Sequence, residues 1–339
     1  MALTNKTVAF FDSDGPLAQQ AEAFTRRASQ TDMAHSVAQA IERDQTLLAE
    51  AGTGTGKTFA YLVPAMLAGK TIMISTATKT LQEQLYQKDA PMIKAMTQFP
   101  GKIRLLKGRE NYLCPKRLEI AQSEQAHQKR DWSLLNRIEQ WQHKTQTGDK
   151  AELAAIEEND PIWSRVCARL EFCQANECGK STQSQCFYPD VKKQANEAEV
   201  LIVNHHLFSA DLALKEAGQG EVLPQADIYI FDEAHQLPEV AAQFLGFSVS
   251  RFQLEDWVRD FKPAFKKEAS DTQSLLDQAY RVKEAVSVFN RSLGSMDQRL
   301  NQAAFEAMQP AVDALRHLVQ GVTHCTEQVL APLKDRGKL

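Results

Sequence analysis

The sequence lacks any long apolar run, and this absence argues against an integral membrane protein. No stretch of the 339 residues approaches the roughly 20 apolar residues that a membrane-spanning helix needs. Residues 1–14 also lack the apolar core and the small-residue cleavage site of a signal peptide. We therefore expect a cytoplasmic protein with no membrane partner, and a chain of this length is sufficient for about two domains.

An excess of basic charge and closely spaced cysteines are missing as well. The formal net charge is −4, so any contact with nucleic acid must come from a local patch and not from the overall charge. The chain has six cysteines, and no two of them form a C-x-x-C pair. Because cytoplasmic proteins rarely carry structural disulfides, metal binding is the better explanation for any cysteines that cluster.

What the sequence does contain is a glycine-rich loop at residues 50–58, Glu-Ala-Gly-Thr-Gly-Thr-Gly-Lys-Thr, with the pattern of a phosphate-binding loop. It follows a short apolar run at 46–49, which predicts a strand, and it precedes a helical pattern that begins near Phe59. Backbone N–H groups of such a loop point at phosphates, while Lys57 adds a positive charge and Thr58 a hydroxyl ligand for Mg²⁺. The predicted nucleotide-binding residues of this loop are Gly52, Thr53, Gly54, Thr55, Gly56, Lys57 and Thr58.

An acidic pair follows another apolar run far along the chain. Residues 227–231 predict a strand that ends in Asp232-Glu233-Ala234-His235. Asp232 at such a strand end can hold Mg²⁺, and the neighbouring Glu233 can activate the attacking water as a general base. His235 is a candidate for coupling the phosphate state to a second domain. Alone, the quartet would equally fit a solvated acidic turn, but the phosphate-binding loop upstream favours an ATP-hydrolysing site.

Apolar runs alternate with helical patterns in two stretches, residues 1–106 and 200–249. This alternation predicts an α/β fold with a mostly parallel sheet, whose ligands gather at the carboxyl ends of the strands. Residues 1–23 carry little pattern, and Thr31 or Asp32 is the expected cap of the helix before the phosphate-binding loop. The predicted strands lie at 70–76, 103–106, 200–203 and 227–231, and the predicted helices at 59–68 and 80–89, with Pro91 ending or restarting the second helix.

Two other stretches do not follow this alternation. Residues 107–199 are polar and contain five of the six cysteines, so we interpret them as an insertion into the α/β domain. Residues 250–339 repeat apolar side chains at helical spacing and contain no clear strand, which predicts a solvated helical bundle.

The cysteines of the insertion form a loose cluster. Cys173, Cys178 and Cys186 are close in sequence, and Cys114 lies near the start of the insertion. Four thiolates can bind zinc or an iron–sulfur cluster, and the absence of a C-x-x-C pair weakens the case for zinc. Cys167 is either a bystander or an alternative ligand, and cysteines without any metal remain the other interpretation.

A further candidate segment lies between the two halves of the nucleotide site. Residues 75–80, Ser-Thr-Ala-Thr-Lys-Thr, stand where a predicted strand ends and a helix begins. Hydroxyl and backbone N–H groups at such a place suit a nucleic-acid phosphate. A capped helix start explains the same residues equally well.

The motifs follow one another in a characteristic order. That order is Arg27-x-x-Gln30, the phosphate-binding loop, Ser75-Thr76, Lys107-Gly108-Arg109-x-Asn111-Tyr112-x-Cys114, the cysteine cluster, Val203-Asn204-His205-His206 and Asp232-Glu233-Ala234-His235. Taken together in this order, they resemble the iron–sulfur superfamily 2 DNA helicases of the XPD and DinG type. The resemblance covers residues 14–250 strongly and the helical remainder weakly.

The resemblance implies an organisation and an activity. Residues 1–106 and 200–249 would form a RecA-like first motor domain, 107–199 an inserted iron–sulfur domain, and 250–339 part of a helical arch. The implied activity is ATP-driven 5′ to 3′ movement along single-stranded DNA, with opening of forked duplex DNA in replication-linked repair. A replication or repair protein is the implied partner.

The resemblance also implies roles for individual residues. Arg27 and Gln30 would recognise the adenine of ATP. Lys57 and Thr58 would hold phosphate and Mg²⁺, and Asp232 and Glu233 would serve Mg²⁺ and the attacking water. The ligands of a [4Fe–4S] cluster would be Cys114, Cys173, Cys178 and Cys186.

One part of the family pattern is missing from this sequence. Residues 236–339 contain no glycine–arginine motif on an α/β pattern, as the second motor domain of such helicases would. An arginine finger is often worth roughly 10³ or more in rate, so we expect a partial helicase that binds ATP but unwinds DNA weakly or not at all. The alternative is a non-motor module that binds nucleotide, DNA or a partner without turnover. A metabolic kinase is disfavoured, because it has no use for the acidic quartet and the cysteine insertion.

Overall fold

The computed structural model describes residues 2–20, 26–52, 54–123, 129–153, 156–157, 160–169, 173 and 186–245, together with twelve single positions between 280 and 324. Thr53 and Cys178 lie outside the described residues. The chain divides into two compact units, Met1–Gly246 and Phe247–Leu339. The described positions of the second unit are helical. Within the described part of the chain, no helix is long and apolar enough to cross a membrane.

A parallel four-stranded sheet forms the centre of the first unit. Its strands are β1 (Ile72–Thr76), β2 (Ile103–Leu105), β3 (Val200–Asn204) and β4 (Ile228–Phe231), in the order β2-β3-β1-β4. Every residue of β1 and β3 is buried, because these two strands lie in the middle of the sheet and are covered on both faces. In the register, Ser75 of β1 lies opposite Val203 on one side and Phe231 on the other. The four strands and the parallel sheet predicted from the apolar runs are therefore confirmed.

Helices cover the sheet and build the insertion. In chain order they are α1 (Leu3–Phe10), α2 (Pro16–Gln20), α3 (Ala28–Arg43), α4 (Lys57–Leu67), α5 (Lys79–Gln84), α6 (Ala90–Thr97), α7 (Pro115–Ser123), α8 (Lys129–Gln142), α9 (Pro161–Val166), α10 (Phe187–Asn196), α11 (His205–Glu216) and α12 (Leu237–Leu245). Helix α4 is apolar on nearly all sides, since it lies between the sheet and the helices α1 and α3. It begins directly after the phosphate-binding loop, as predicted.

The predicted strand at 46–49 is wrong. These residues are not in a strand, and the Leu48 side chain is 92% exposed. A strand is stabilised by hydrogen bonds to a neighbouring strand. Residues 46–49 pair with none of the four strands of the described sheet, in which β4 remains an edge strand with a neighbour on one side only. The short apolar run alone is therefore insufficient to fix a strand there.

Two predictions for the N-terminal part are also wrong. Residues 1–23 include the helices α1 and α2, and Phe10 and Phe11 are buried in the main core. Helix α3 begins at Ala28 with Arg27 as its N-cap, so neither Thr31 nor Asp32 caps it. The Thr31 hydroxyl instead donates to the carbonyl of Arg27 at 3.3 Å, one turn back within the helix.

The helix predicted at 80–89 is divided into segments. Helix α5 passes through a π-helical turn, Leu85–Asp89, into α6. Pro91 lies in the first turn of α6, where a missing N–H costs little. Pro91 therefore restarts the helix, which was one of its two predicted roles.

The insertion has an apolar cluster of its own. Helices α7, α8 and α9 pack around Leu113, Leu135 and Ile138, which are fully buried. Cys167 belongs to the same cluster and is 1% exposed. The chain enters this part through Tyr112 and Leu113, which form isolated β-bridges to Asp149 and Cys167.

Candidate nucleotide site

The phosphate-binding loop has the backbone shape that its glycines allow. Gly54 and Gly56 have φ values of 75° and 81°, in the left-handed region that side chains with a Cβ avoid. A Cβ on Gly56 would also come within 2.1 Å of the Gln30 amide nitrogen. The Thr55 hydroxyl closes the loop by donating to the carbonyl of Gly52 at 2.9 Å. Gly56 is therefore required for its backbone angle, and a Cβ there would also displace the end of the Gln30 side chain.

Arg27 and Gln30 contact the loop from helix α3. The Arg27 guanidinium donates to the carbonyl of Gly54, and the Gln30 amide donates to the carbonyl of Gly56 at 3.1 Å. Both side chains thus hold the main chain of the phosphate-binding loop. Their proposed recognition of adenine stays a prediction.

The two halves of the predicted site meet in the structure. Lys57 Nζ lies 3.0 Å from Glu233 Oε1, although the two residues are 176 positions apart in the chain. The two side chains are 29% and 31% exposed, so the pair is open to a ligand on one side. The parallel sheet explains this geometry, because α4 and the end of β4 lie at the same carboxyl edge.

Asp232 carries a negative charge that the protein only partly compensates. Burial raises the pKa of this carboxyl above its usual value, and the charge of Glu233 raises it further, while Lys57 opposes both effects. A carboxylate in this state gains from a nearby cation. The donor set of Asp232 and the Thr58 hydroxyl therefore fits a hard divalent ion such as Mg²⁺.

Tyr61 connects these two candidate ligands. It is buried on α4, and its hydroxyl lies close enough to the side chains of Thr58 and Asp232 for both to affect the pKa of the phenol. Burial and the charge of Asp232 raise the pKa of this phenol, so it stays protonated and can donate. The sequence analysis missed Tyr61. The available signal was a tyrosine three positions after Thr58 on an otherwise apolar helix.

The turn after β4 holds Glu233 in an uncommon conformation. Its φ is 56°, in the left-handed region, which costs a non-glycine residue about 1–2 kcal/mol. His235 Nδ1 lies 3.4 Å from the second carboxylate oxygen of Glu233, and its side chain is 68% exposed. The predicted site residues Lys57, Glu233 and His235 are thus neighbours in space.

The start of α5 is the predicted phosphate-binding segment near β1. The Thr78 hydroxyl accepts from the N–H of Leu81 at 3.2 Å, so the capped helix start is confirmed. Thr78, Lys79 and Thr80 are exposed. Gln82 is buried, and its amide donates to the carbonyls of Leu106 and Ile202.

A buried lysine joins this helix to the insertion. The Lys107 side chain is 3% exposed and forms ion pairs with Glu83 of α5 and with Asp149 of the insertion. Lys107 Nζ lies 2.7 Å from Asp149 Oδ2, and the backbone N–H of Lys107 donates to the Tyr112 hydroxyl at 3.0 Å. Sequence analysis quoted Lys107 in a motif but gave it no role, because a buried ion pair between distant segments leaves no local pattern.

Three of the four predicted cluster cysteines, Cys114, Cys173 and Cys186, are among the described residues. All three are half-buried. The rings of Tyr112 and Tyr188 lie 5.6 Å apart and join the segments that carry Cys114 and Cys186. Within the described residues, no group of three or more His, Cys, Asp or Glu side chains is arranged to hold a metal ion.

Cys167 differs from the other insertion cysteines. Its side chain is 1% exposed and lies among apolar residues, and its main-chain carbonyl accepts from Arg117. This position favours the bystander over the alternative ligand, which were the two predicted roles of Cys167.

Comparison with known proteins gives the same assignment as the motifs. A model of the DEAD/DEAH box helicase family matches residues 31–129. The ATP-dependent DNA helicase YoaA of Haemophilus influenzae is 39% identical over 333 residues, which cover 94% of this chain and 52% of that protein. YoaA of Escherichia coli is 42% identical over 294 residues, covering 86% and 46%. The ATP-dependent DNA helicase DinG of Photobacterium profundum is 30% identical over 272 residues, covering 74% and 38%. A solved structure of a truncated XPD aligns with a TM-score of 0.41 at 13% identity, covering 87% of this chain and 81% of that chain.

The sheet, the phosphate-binding loop and the acidic quartet define a DEAD/DEAH-box protein with an α/β nucleotide site. Within that class, the chain is similar to the DinG and YoaA type of helicases, as the order of its motifs predicted. The chain spans about half the length of the two YoaA relatives that it matches.

Proposed function

We propose that this chain is the ATP-binding part of an ATP-dependent DNA helicase. The observation that carries the proposal is the contact of 3.0 Å between Lys57 and Glu233, which joins the phosphate-binding loop to the acidic quartet. Phosphoryl transfer from ATP requires a loop lysine and an acid at a strand end in one site, and this contact shows that the two are neighbours. The family assignment supports the same reaction.

In this proposal, Thr58 and Asp232 hold Mg²⁺. The raised pKa of Asp232, caused first by burial, supports a cation at this place, because a cation would compensate the buried charge. When bound, Mg²⁺ neutralises charge on the phosphates. Tyr61, which lies next to both side chains, is the group that can orient them by hydrogen bonding.

Lys57 has to change partners when ATP binds. Its ammonium group is paired with Glu233, and it has to turn toward the phosphates of the nucleotide. The exchange releases the Glu233 carboxylate, which can then accept a proton from the attacking water. His235, at 3.4 Å from the same carboxylate, is the candidate that couples this change to other parts of the protein.

The proposed polymer substrate is single-stranded DNA, with movement from 5′ to 3′ and opening of forked duplex DNA. The exposed start of α5 supports a phosphate contact, because Thr78 and Thr80 present hydroxyl groups next to the backbone N–H groups of the first turn. The relatives that are named DNA helicases support DNA as the substrate class. A role in repair with a replication protein as partner, and a cytoplasmic location, belong to the same proposal.

A [4Fe–4S] cluster on Cys114, Cys173, Cys178 and Cys186 also remains a proposal. Cys114 and Cys186 are on segments joined by the Tyr112–Tyr188 contact. Burial raises the pKa of Tyr188, and Cys173 is close enough to contribute to the same shift. These contacts support a common location for three of the four thiols. Iron and sulfide analysis of the purified protein tests the proposal, and a protein that contains zinc in place of iron would refute it.

The nucleotide proposal is tested by titrating a fluorescent ATP analogue with and without Mg²⁺. We expect the unmodified chain to bind more tightly with Mg²⁺ present. Thr58→Ala removes one ligand of the ion, so the advantage given by Mg²⁺ should fall roughly tenfold. Thr80→Ala, a substitution of the same kind outside the nucleotide site, is the control. An equal Mg²⁺ effect in Thr58→Ala and in the unmodified chain would contradict the proposal.

A further inference from the structure

His205 lies at the junction of three strands. It is the first residue of α11, directly after β3, and it is fully buried. Its Nδ1 lies 2.7 Å from the hydroxyl of Ser75 on β1. Its ring lies 6.4 Å from the ring of Phe231, the last residue of β4, and close to the main chain of Asp232 and Glu233 that follows. One imidazole therefore connects the carboxyl ends of β3, β1 and β4.

The surroundings of His205 decide which nitrogen carries the proton. Burial lowers the pKa of this histidine, so the ring is neutral. Because Nδ1 is occupied by Ser75, Nε2 is the nitrogen left for the neighbouring main-chain carbonyls, which only accept hydrogen bonds, and we therefore assign the proton to Nε2. Nδ1 then accepts the hydrogen bond from the Ser75 hydroxyl. This arrangement fixes the orientation of the ring.

The contact of Nε2 with the acidic turn is incomplete. Nε2 is buried and lacks a hydrogen bond of good geometry, although the carbonyls of Asp232 and Glu233 are next to it. A buried donor without an acceptor is costly, so a hydrogen bond from Nε2 to one of these carbonyls would be favourable. The same turn is already held by Ser75, whose carbonyl accepts from the N–H of Asp232 at 2.9 Å.

We infer that His205 is a positioning residue for the acidic pair: anchored on Ser75, it holds the main chain of Asp232 and Glu233 in the orientation that Mg²⁺ binding requires. The inference rests on the proposed nucleotide function and deepens it. Glu233 has a left-handed backbone, which persists only where neighbouring groups fix it. His205 is the buried side chain that reaches this main chain from the adjacent strands.

The contact of His205 with Ser75 also connects the acidic turn to the segment that we propose binds a DNA phosphate. Ser75 is followed by Thr76 and by the exposed start of α5. A movement of the Asp232–Glu233 turn would therefore be transmitted to Ser75 through His205 and through the hydrogen bond from the Asp232 N–H to the Ser75 carbonyl. His205 thus joins the nucleotide site to the strand end where we propose that a DNA phosphate binds.

Two substitutions of His205 separate its two contacts. The His205→Gln side chain carries an N–H donor that can reach the carbonyls on the Nε2 side. The shorter His205→Asn side chain can still accept from Ser75 but has no donor at the Nε2 position. Ser75→Ala removes the anchor without changing His205. The neighbouring histidine provides a matched control, His206→Asn, because His206 is exposed and contacts the Phe244 ring at 6.0 Å.

The measurement is the ratio of the affinities for a fluorescent ATP analogue with Mg²⁺ and with EDTA. A general loss of stability would weaken both affinities and leave their ratio unchanged. We expect His205→Asn and Ser75→Ala to lower the ratio by roughly three- to tenfold, the size of one hydrogen bond. His205→Gln should retain most of it, and His206→Asn should retain all of it.

The possible results are distinct. An unchanged ratio in both His205→Asn and Ser75→Ala would overturn the inference while leaving the proposed function intact. So would a loss in His205→Gln equal to that in His205→Asn. If His205→Asn does not fold, the result for Ser75→Ala decides. No Mg²⁺-dependent binding by the unmodified chain would refute the proposed function, and the role of His205 with it.

Discussion

The ion-pair network of Lys107 allows a sharp prediction about stability. The Lys107 side chain is 3% exposed, and its carboxylate partners Glu83 and Asp149 are 23% and 12% exposed. Lys107→Met keeps the length and the apolar stem of the side chain but removes the charge. Two poorly solvated carboxylates then remain close together with no cation between them. Removing one partner of a buried pair in this way costs about 3–5 kcal/mol.

That cost is a large share of the free energy of unfolding of an ordinary domain, about 5–15 kcal/mol. The triple variant Lys107→Met, Glu83→Gln, Asp149→Asn removes all three charges together. It should recover most of the loss, because replacing an entire buried ion pair is often close to neutral. Asn at position 149 can still accept the hydrogen bond from the N–H of Ala151, which Asp149 accepts at 3.0 Å.

Urea unfolding followed by tryptophan fluorescence measures these differences. The control is Arg26→Met, which breaks the ion pair with Asp12 between side chains that are 49% and 44% exposed. An exposed pair contributes at most about 1 kcal/mol, so Arg26→Met should unfold close to the unmodified chain. A loss below about 1 kcal/mol in Lys107→Met, or a triple variant no more stable than the single one, would refute the reasoning.

Three further predictions concern the nucleotide site and the cysteines. Asp232→Asn should raise the melting temperature of the ligand-free chain by a few degrees, since it removes a charge that burial penalises. Because the folded-state pKa of Asp232 is raised, its charge destabilises the folded chain most at neutral pH, and this destabilisation disappears as the pH falls through that pKa. The increase in melting temperature caused by Asp232→Asn should therefore be smaller in acid. Gly56→Ala should weaken ATP binding at least tenfold in a fluorescence titration, because a Cβ would strike Gln30 and the φ of 81° is unfavourable; Gly69→Ala, also at positive φ but in open space, is the control. Cys114→Ser should lower the iron content of the purified protein whereas Cys167→Ala should not, and equal iron in both variants would contradict the proposed ligand set.

Much of the sheet could be predicted from sequence because burial on both faces leaves a simple pattern. The runs that became β1 and β3 contain three and four consecutive apolar residues, at 72–74 and 200–203, and both strands are buried throughout. The run at 46–49 is as apolar, but Leu48 is exposed in the structure. Local sequence contains no information about whether a neighbouring strand is present, so this prediction failed while the others succeeded.

The nucleotide site was predictable in its chemistry but not in its supporting contacts. Lys57 and Glu233 belong to local motifs, and the fold brings the start of α4 next to the end of β4. Tyr61 and His205 lie next to residues that are distant in sequence or one helical turn away, and no sequence motif predicts these contacts. Arg27 and Gln30 were predicted as adenine-recognising residues from the family resemblance, whereas their contacts with the loop carbonyls are visible only in the three-dimensional structure.

The central claim is that Lys57 and the acidic quartet form one ATP site. It is tested most directly by isothermal titration of the chain with Mg·ATP, before and after the substitution Lys57→Ala. The account predicts binding by the unmodified chain and a loss of roughly tenfold to a hundredfold in the variant, as expected for a charged hydrogen bond to phosphate. Equal affinities in the two proteins, or no binding by the unmodified chain, would contradict the account.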